Sequence, residues 1–184
     1  NATADIIAVV YEPMLLDIAK KSKSYLVVTT LQNTIKKLEI EDFLNVSVSG
    51  LMYSKIKDDA VTGLNIVSAG LDIVLYTDQK ILRTSINNIP LFKRNATGSK
   101  AMSTAPVLGM DIIYPDDTDV VVITNKGRIN RFPISVLARH GRGGVGINGI
   151  RLTNGDIIAS VRCIRPTDEI RILTTDNVIN IPVS

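Results

Sequence analysis

One phrase of sequence occurs four times, and its spacing restricts the chain to a repeat architecture. The clearest copy is Asp119-Val-Val-Val-Ile-Thr124-Asn-Lys-Gly127-Arg-Ile-Asn-Arg131. An apolar run, a turn closed by glycine and an outgoing polar strand read as a β-hairpin, with Gly127 where φ must be positive. The other copies are Tyr25 to Lys37, Asp72 to Arg83 and Ile170 to Asn180. Their threonines, Thr30, Thr77, Thr124 and Thr174, stand 47, 47 and 50 residues apart. Asn33 and Asn177 fill the slot of Gly127, and asparagine tolerates positive φ better than other side chains. The second copy is one residue shorter and puts Lys80 there, which predicts a different turn.

Between hairpins the chain repeats a second theme. Ile66-Val67, Ile112-Ile113 and Val161 to Ile164 form short apolar strands just ahead of a polar turn and the next hairpin. Behind the hairpins, Gly50 to Asp59 and Gly146 to Asp156 read as strands entered through glycine, the second ending in the Asn154-Gly155 turn signal. Ala101 to Pro106 departs from that form. Each unit of about 47 residues thus holds roughly four short strands, with no long 3.6-residue period, which argues an all-β chain. Four strands per repeat is the size of one propeller blade. The expected blades are 25–71, 72–118, 119–169, and 170–184 closed by the half-unit 4–24, in a single domain over 1–184. A fragment of a longer, open ring is the alternative.

The net charge is +3, and it is unevenly placed. Lys126, Arg128, Arg131, Arg139, Arg142, Arg151, Arg162 and Arg165 face one acid, Asp156, between Val120 and Arg165. That segment carries +7 and leaves −4 for the rest, a bias that favours an anionic partner. Arg128 and Arg131 follow the hairpin turn, and Lys36, Lys37 and Arg83 hold comparable positions, so a ring would present cations at intervals along a rim. Gly141, Gly143 and Gly144 would let backbone amides approach phosphates around Arg142. Eight aromatics without tryptophan, unclustered, argue against base stacking and single-strand binding.

Other chemistries find little support. Cys163 is the only cysteine, and its apolar neighbours favour core packing over reactivity. His140 reads as a solvated loop residue. Asp58-Asp59 and Asp116-Asp117 read as turn carboxylates without metal-ligand companions. No catalytic residue, metal site or cofactor is expected, no Walker-type loop occurs, and none of the tyrosines sits in a nucleophile setting. No apolar run approaches membrane-spanning length, so no membrane partner is expected.

Val121 to Phe132 followed by Arg139-His-Gly-Arg142-Gly-Gly-Val-Gly146-Ile-Asn-Gly149-Ile150-Arg151-Leu152 and the acidic turn Gly155-Asp156 resembles a blade of the C-terminal domain of bacterial gyrase and topoisomerase IV A subunits. The likeness is close over 119–165, good around 25–37 and 170–181, and weak over 85–110. It implies a β-pinwheel, a propeller-like ring of about four four-stranded blades that exchange strands. It implies a non-catalytic domain that binds and bends double-stranded DNA through a basic rim of Lys126, Arg128, Arg131, Arg139, Arg142, Arg151, Lys36, Lys37 and Arg83. The partners implied are the rest of the A subunit and an ATPase B subunit, in the bacterial cytoplasm at the nucleoid. The parent enzyme implied is an ATP-dependent type IIA topoisomerase. Gyrase A subunits carry the box Q-R-R-G-G-K-G. His140-Gly141-Arg142-Gly143-Gly144-Val145-Gly146 matches it in part, lacking the glutamine, one arginine and the lysine. The expectation is a shallow bend centred on Arg128 to Arg151, with gyrase and topoisomerase IV both left open. A propeller that docks protein partners is the competing reading.

Overall fold

The repeated threonine explains the local structure first. In a computed structural model, which describes residues 23–44, 59–173 and 178–182, each of Thr30, Thr77 and Thr124 stands at the end of a strand or just past it and is almost wholly buried. Its hydroxyl accepts from backbone N–H groups across the turn: from Gln79 and Lys80 at 3.2 and 2.9 Å in the second hairpin, and from Arg128 at 3.2 Å in the third. The threonine is therefore a turn clamp, satisfying amides that the tight loop would otherwise strand. Asn33 and Gly127 follow with φ of 62° and 77°, and each donates its N–H to the threonine carbonyl at 3.0 Å. In the shorter second hairpin Thr77 N–H bonds to Lys80 O at 2.8 Å, as Thr124 N–H does to Arg128 O at 2.9 Å, but no positive φ is needed.

The strands are β1 (Ser24–Thr30), β2 (Thr34–Glu39), β3 (Val61–Ser68), β4 (Asp72–Tyr76), β5 (Ile81–Ser85), β6 (Ser99–Lys100), β7 (Gly109–Ile113), β8 (Asp119–Thr124), β9 (Ile129–Pro133), β10 (Arg139–His140), β11 (Ile158–Ile164), β12 (Glu169–Leu173) and β13 (Val178–Pro182). They form small sheets in the orders β3-β1-β2-β6, β10-β5-β4-β7, β11-β8-β9 and β12-β13. Each hairpin, β1-β2, β4-β5, β8-β9 and β12-β13, is antiparallel. A short 3₁₀ turn follows each of the first three return strands, opening on the buried Ile40, Ile86 or Ile134.

Consecutive units exchange strands. β6, from the second unit, pairs with β2 of the first through Thr34↔Lys100 and Ile35↔Ser99. β10, from the third unit, pairs in parallel with β5 of the second through Arg83↔Arg139 and Thr84↔His140. The all-β, blade-exchanging pinwheel expected from the sequence is what the chain forms. Blades also stack face to face, which is why the first hairpin strands read as unbroken apolar runs. Alternate side chains of β4 enter different cores: Ile73 and Leu75 join Tyr25, Val27 and Ile35, whereas Val74 joins Val120, Val122 and Val161. Val121, on the opposite side of β8, packs with Ile164 and Ile170 of the next unit. At about 1.5–3 kcal/mol for each fully buried aliphatic side chain, these interblade cores are the main adhesive.

Some expectations change. Gly146 to Asp156 is no strand; it runs as an irregular strap with one bridge, Ile147↔Ile81, because its glycines and polar residues cannot hold a ladder edge. His140 sits on β10 and not in a loop, although it is exposed. Thr174, Asn177, the strand expected over Gly50 to Asp59 (Asp59 excepted) and the half-unit 4–24 (its last two residues excepted) lie outside the described residues.

Candidate nucleic-acid interface

The basic residues singled out in the sequence fall into three physical groups. The first is buried. Lys36 is 1% and Lys37 8% exposed, with Lys36 Nζ donating to Arg94 O at 2.7 Å and Lys37 Nζ to Ile86 O at 3.0 Å. Lys37 also lies 4.8 Å above the Tyr25 ring, a cation–π contact. Desolvation holds both ammonium groups below the ordinary lysine range. The expectation that they stand on an exposed rim is corrected. The next unit's segment folds over β2, so these side chains become interblade fasteners.

The second group is exposed in part and neutralised. Arg83 Nε and Arg139 Nε converge on the same oxygen of Asp72, Oδ2, at 2.7 and 3.0 Å. The Asp72 side chain is only 3% exposed. Arg83 belongs to the second blade and Arg139 to the third unit, so this triad pins one unit on the other. Arg131 has its own carboxylate, Asp119 Oδ2, at 2.6 Å from Nη2.

The third group projects from the third blade and its strap. Arg128 and Arg151 are exposed and Arg142 is half-buried, and none of their side chains makes an ion pair or hydrogen bond among the described residues. Lys126 is exposed beside them, its Nζ held by Asn154 O at 2.6 Å. Asp156, the acidic turn residue, is buried and accepts from Lys126 N at 3.3 Å. Asp59 does the same for Gln32 N at 2.8 Å in the first hairpin. Asp59 and Asp156 therefore cap hairpin turns.

The glycine box is structural in its middle. Gly143 N–H is consumed by Ala101 O at 2.7 Å, and Gly144 O accepts from Ser103 N at 3.0 Å. This amide is not available to an anion, which corrects the expectation for Gly143. Gly146 has φ of 75°, and a Cβ there would meet Ile81 O at 2.5 Å. Gly98 repeats the arrangement against Ile35 O in the preceding blade, at 2.8 Å. Within the box, Gly141 meets open space and Val145 is 58% exposed. The box thus seats the strap on the second blade and leaves Arg142 at its edge.

Several contributors had no separable signal in the sequence. Asn33 mimics a strand partner with its side chain, donating Nδ2 to Met102 O at 2.6 Å and accepting Met102 N at 3.1 Å. Asp111 Oδ2 accepts Cys163 N at 2.7 Å, and its Oδ1 faces Arg162 Nη1 at 3.4 Å, joining β7 to β11. Burial lifts the Asp111 carboxyl above its ordinary value and pushes the Cys163 thiol far up, so the sulfur stays unionised. Among the described residues no group of three or more His, Cys, Asp or Glu side chains could hold a metal ion, and no helix is long and apolar enough to cross a membrane.

Comparison with known proteins points in one direction. The family model described as DNA gyrase C-terminal domain, beta-propeller, matches residues 80–106 and 118–165. The DNA gyrase A subunit of Staphylococcus epidermidis (strain ATCC 12228 / FDA PCI 1200) is 26% identical over 168 residues, 87% of this chain and 19% of that protein. The DNA gyrase A subunit of Staphylococcus aureus (strain MRSA252) is 25% identical over 164 residues, 85% of this chain and 18% of that protein. The chain therefore spans about a fifth of the length of these relatives. Among solved structures, the C-terminal domain of DNA topoisomerase IV superposes with a TM-score of 0.78 at 18% identity, covering 89% of this chain and 53% of that one. The E. coli ParC C-terminal domain gives 0.58 at 13% identity, covering 88% and 87%. The family model resembles this chain over part of its length, and the solved C-terminal domains of topoisomerase IV and ParC share its fold.

Proposed function

We propose that this chain, related to the C-terminal domains of gyrase and topoisomerase IV A subunits, binds and bends duplex DNA without carrying out catalysis itself. In this reading it is part of a type IIA topoisomerase that acts with an ATPase B subunit in the bacterial cytoplasm, at the nucleoid. The observation that supports it is the segregation of its cations. Among the described residues, Arg128, Arg142 and Arg151 project from one blade and its strap without carboxylate partners, while Arg83, Arg131 and Arg139 are ion-paired. Unpaired guanidiniums on a surface poor in aromatics suit phosphate oxygens better than bases. Lys126 would add a fourth cation, and Arg131 and Arg139 could turn part of their guanidinium edges to phosphate.

The rim is discontinuous, because the first blade buries its two lysines. DNA held over one or two blades, and not around a whole ring, follows from that, since bending tens of base pairs costs several kcal/mol, on the order of 1–6. The ring itself would close through residues 4–24 against 170–184. Fluorescence anisotropy of a labelled duplex against salt tests the reading. Affinity should fall steeply with salt. Replacing Arg128, Arg142 and Arg151 together with alanine should cut the log–log slope by about 2–3. Binding indifferent to salt and to the triple substitution would leave the propeller as a protein-docking module. Ligation of nicked circles tests the bend, with little change in linking number expected.

A further inference from the structure

Between the turn of the second hairpin and the strap of the third unit lies a cavity of about 470 Å³, lined by Gln79, Asn130, Asn148, Ile150, Arg151 and Leu152 among others. That volume lies within the range of small-ligand sites, but the lining is unlike a typical apolar pocket. It offers three carboxamides and one guanidinium, and among the described residues no carboxylate lines it. Asn130 is fixed by donating Nδ2 to Gly149 O at 2.8 Å. The side chains of Gln79, Asn148 and Arg151 have no hydrogen-bond or ionic partner among the described residues. Gln79 comes from the second blade and the other three from the third unit, so the cavity is assembled only when the two blades stack. The strap next to it is held to the second blade, because Ile147 and Ile81 exchange backbone hydrogen bonds at 2.8 and 2.9 Å.

We propose that this cavity is a socket for one backbone phosphodiester of the bound duplex, with Arg151 supplying the charge and Gln79 and Asn148 donating amide N–H groups to the phosphate oxygens. The inference rests on the DNA-binding reading and adds to it a composite interblade site with neutral members. A single positive charge with amide donors and no competing carboxylate matches a monoanionic phosphodiester, whereas a base edge would need paired donors and acceptors. The socket would fix the position of the DNA at the blade junction, so that Arg128 and Arg142 act on neighbouring phosphates.

A double-mutant cycle in the duplex-binding assay, run across a salt series, tests this. Gln79→Ala should weaken binding about two- to tenfold, as for loss of one hydrogen bond, and leave the salt slope unchanged because glutamine releases no counterion. Arg151→Ala should lower the slope by about 0.9. Because both residues would hold one phosphate, the double variant should be much less than multiplicatively impaired. Gln32→Ala, at the equivalent turn of the first blade, should not couple to Arg151→Ala. In nuclear magnetic resonance spectra, the Gln79 and Asn148 side-chain amides should shift on addition of duplex. If duplex binds but the Gln79 and Arg151 effects multiply and those amides stay put, the socket is wrong and the DNA-binding reading survives. If the wild-type chain binds no duplex, both fall.

Discussion

The second and third hairpins are built from nearly the same phrase and meet different fates. In the second, Ile81 opens the return strand wholly buried, and Arg83 is locked onto Asp72. In the third, Ile129 at the same place is 40% exposed, and Arg131 pairs with Asp119 at the edge. The difference is the covering segment. β10 and Ile147 of the third unit lie along β5, whereas β9 is the outer strand of its sheet among the described residues. One sequence motif thus supplies core in one blade and surface in the next, and the neighbour decides which.

The largest effect should come from cutting into that contrast directly. Ile81→Ala should cost about 2–5 kcal/mol in urea denaturation, the usual range for a buried isoleucine, and Ile129→Ala less than about 1. Equal losses would mean that β9 is covered as β5 is. Next comes the strap. Gly146→Ala should cost roughly 2–3 kcal/mol, since positive φ and the Ile81 carbonyl both oppose a side chain. Gly127→Ala, with the same sign of φ but open space around it, should cost about 1 kcal/mol. Thermal melting of the two variants gives the comparison.

A smaller effect separates the ion pairs. Asp72→Asn should destabilise by about 1–2 kcal/mol, a figure reduced from that of a fully buried pair because Arg139 stands half in water. Asp119→Asn should cost under about 1 kcal/mol. Asp72→Asn should also release two guanidiniums at the blade junction and raise duplex affinity, the opposite of what arginine removal does.

The smallest effect is in pH. Asp111 titrates higher in the folded chain than in the unfolded one because burial disfavours its carboxylate. The folded state then holds more proton than the unfolded state between those two values. Stability contributed by this group is therefore greatest below the unfolded value and declines as pH rises through the folded one. Asp111→Asn, which keeps an oxygen for Cys163 N–H, should flatten that slope in melts taken upward from about pH 4. An unchanged slope would show that Arg162 compensates fully for the burial.

Much of this was legible in the residues alone. The threonine spacing set the repeat length, the apolar runs and turn residues set four hairpins, and Gly127 and Asn33 marked the positive-φ positions, because backbone sterics act locally and leave a local signature. The unbroken runs at β4 and β8 fit strands covered on both faces, as the stacked blades make them. What the residues could not tell was which lysine or arginine would be free. Lys36 and Lys37 share a pattern position with solvent-facing residues of the third hairpin, yet they are buried because a segment more than fifty residues downstream folds across them. Arg83 and Arg139 look like surface charge until chain exchange brings both onto Asp72, which was not singled out from sequence at all. Nor did Gln79 stand out, a turn residue that lines a cavity with Arg151 of the following unit. Hairpins are dictated by neighbours in sequence, whose geometry depends on a few dihedral angles. Exposure and charge pairing are dictated by neighbours in space, and in a chain whose blades trade strands those neighbours belong to a different repeat.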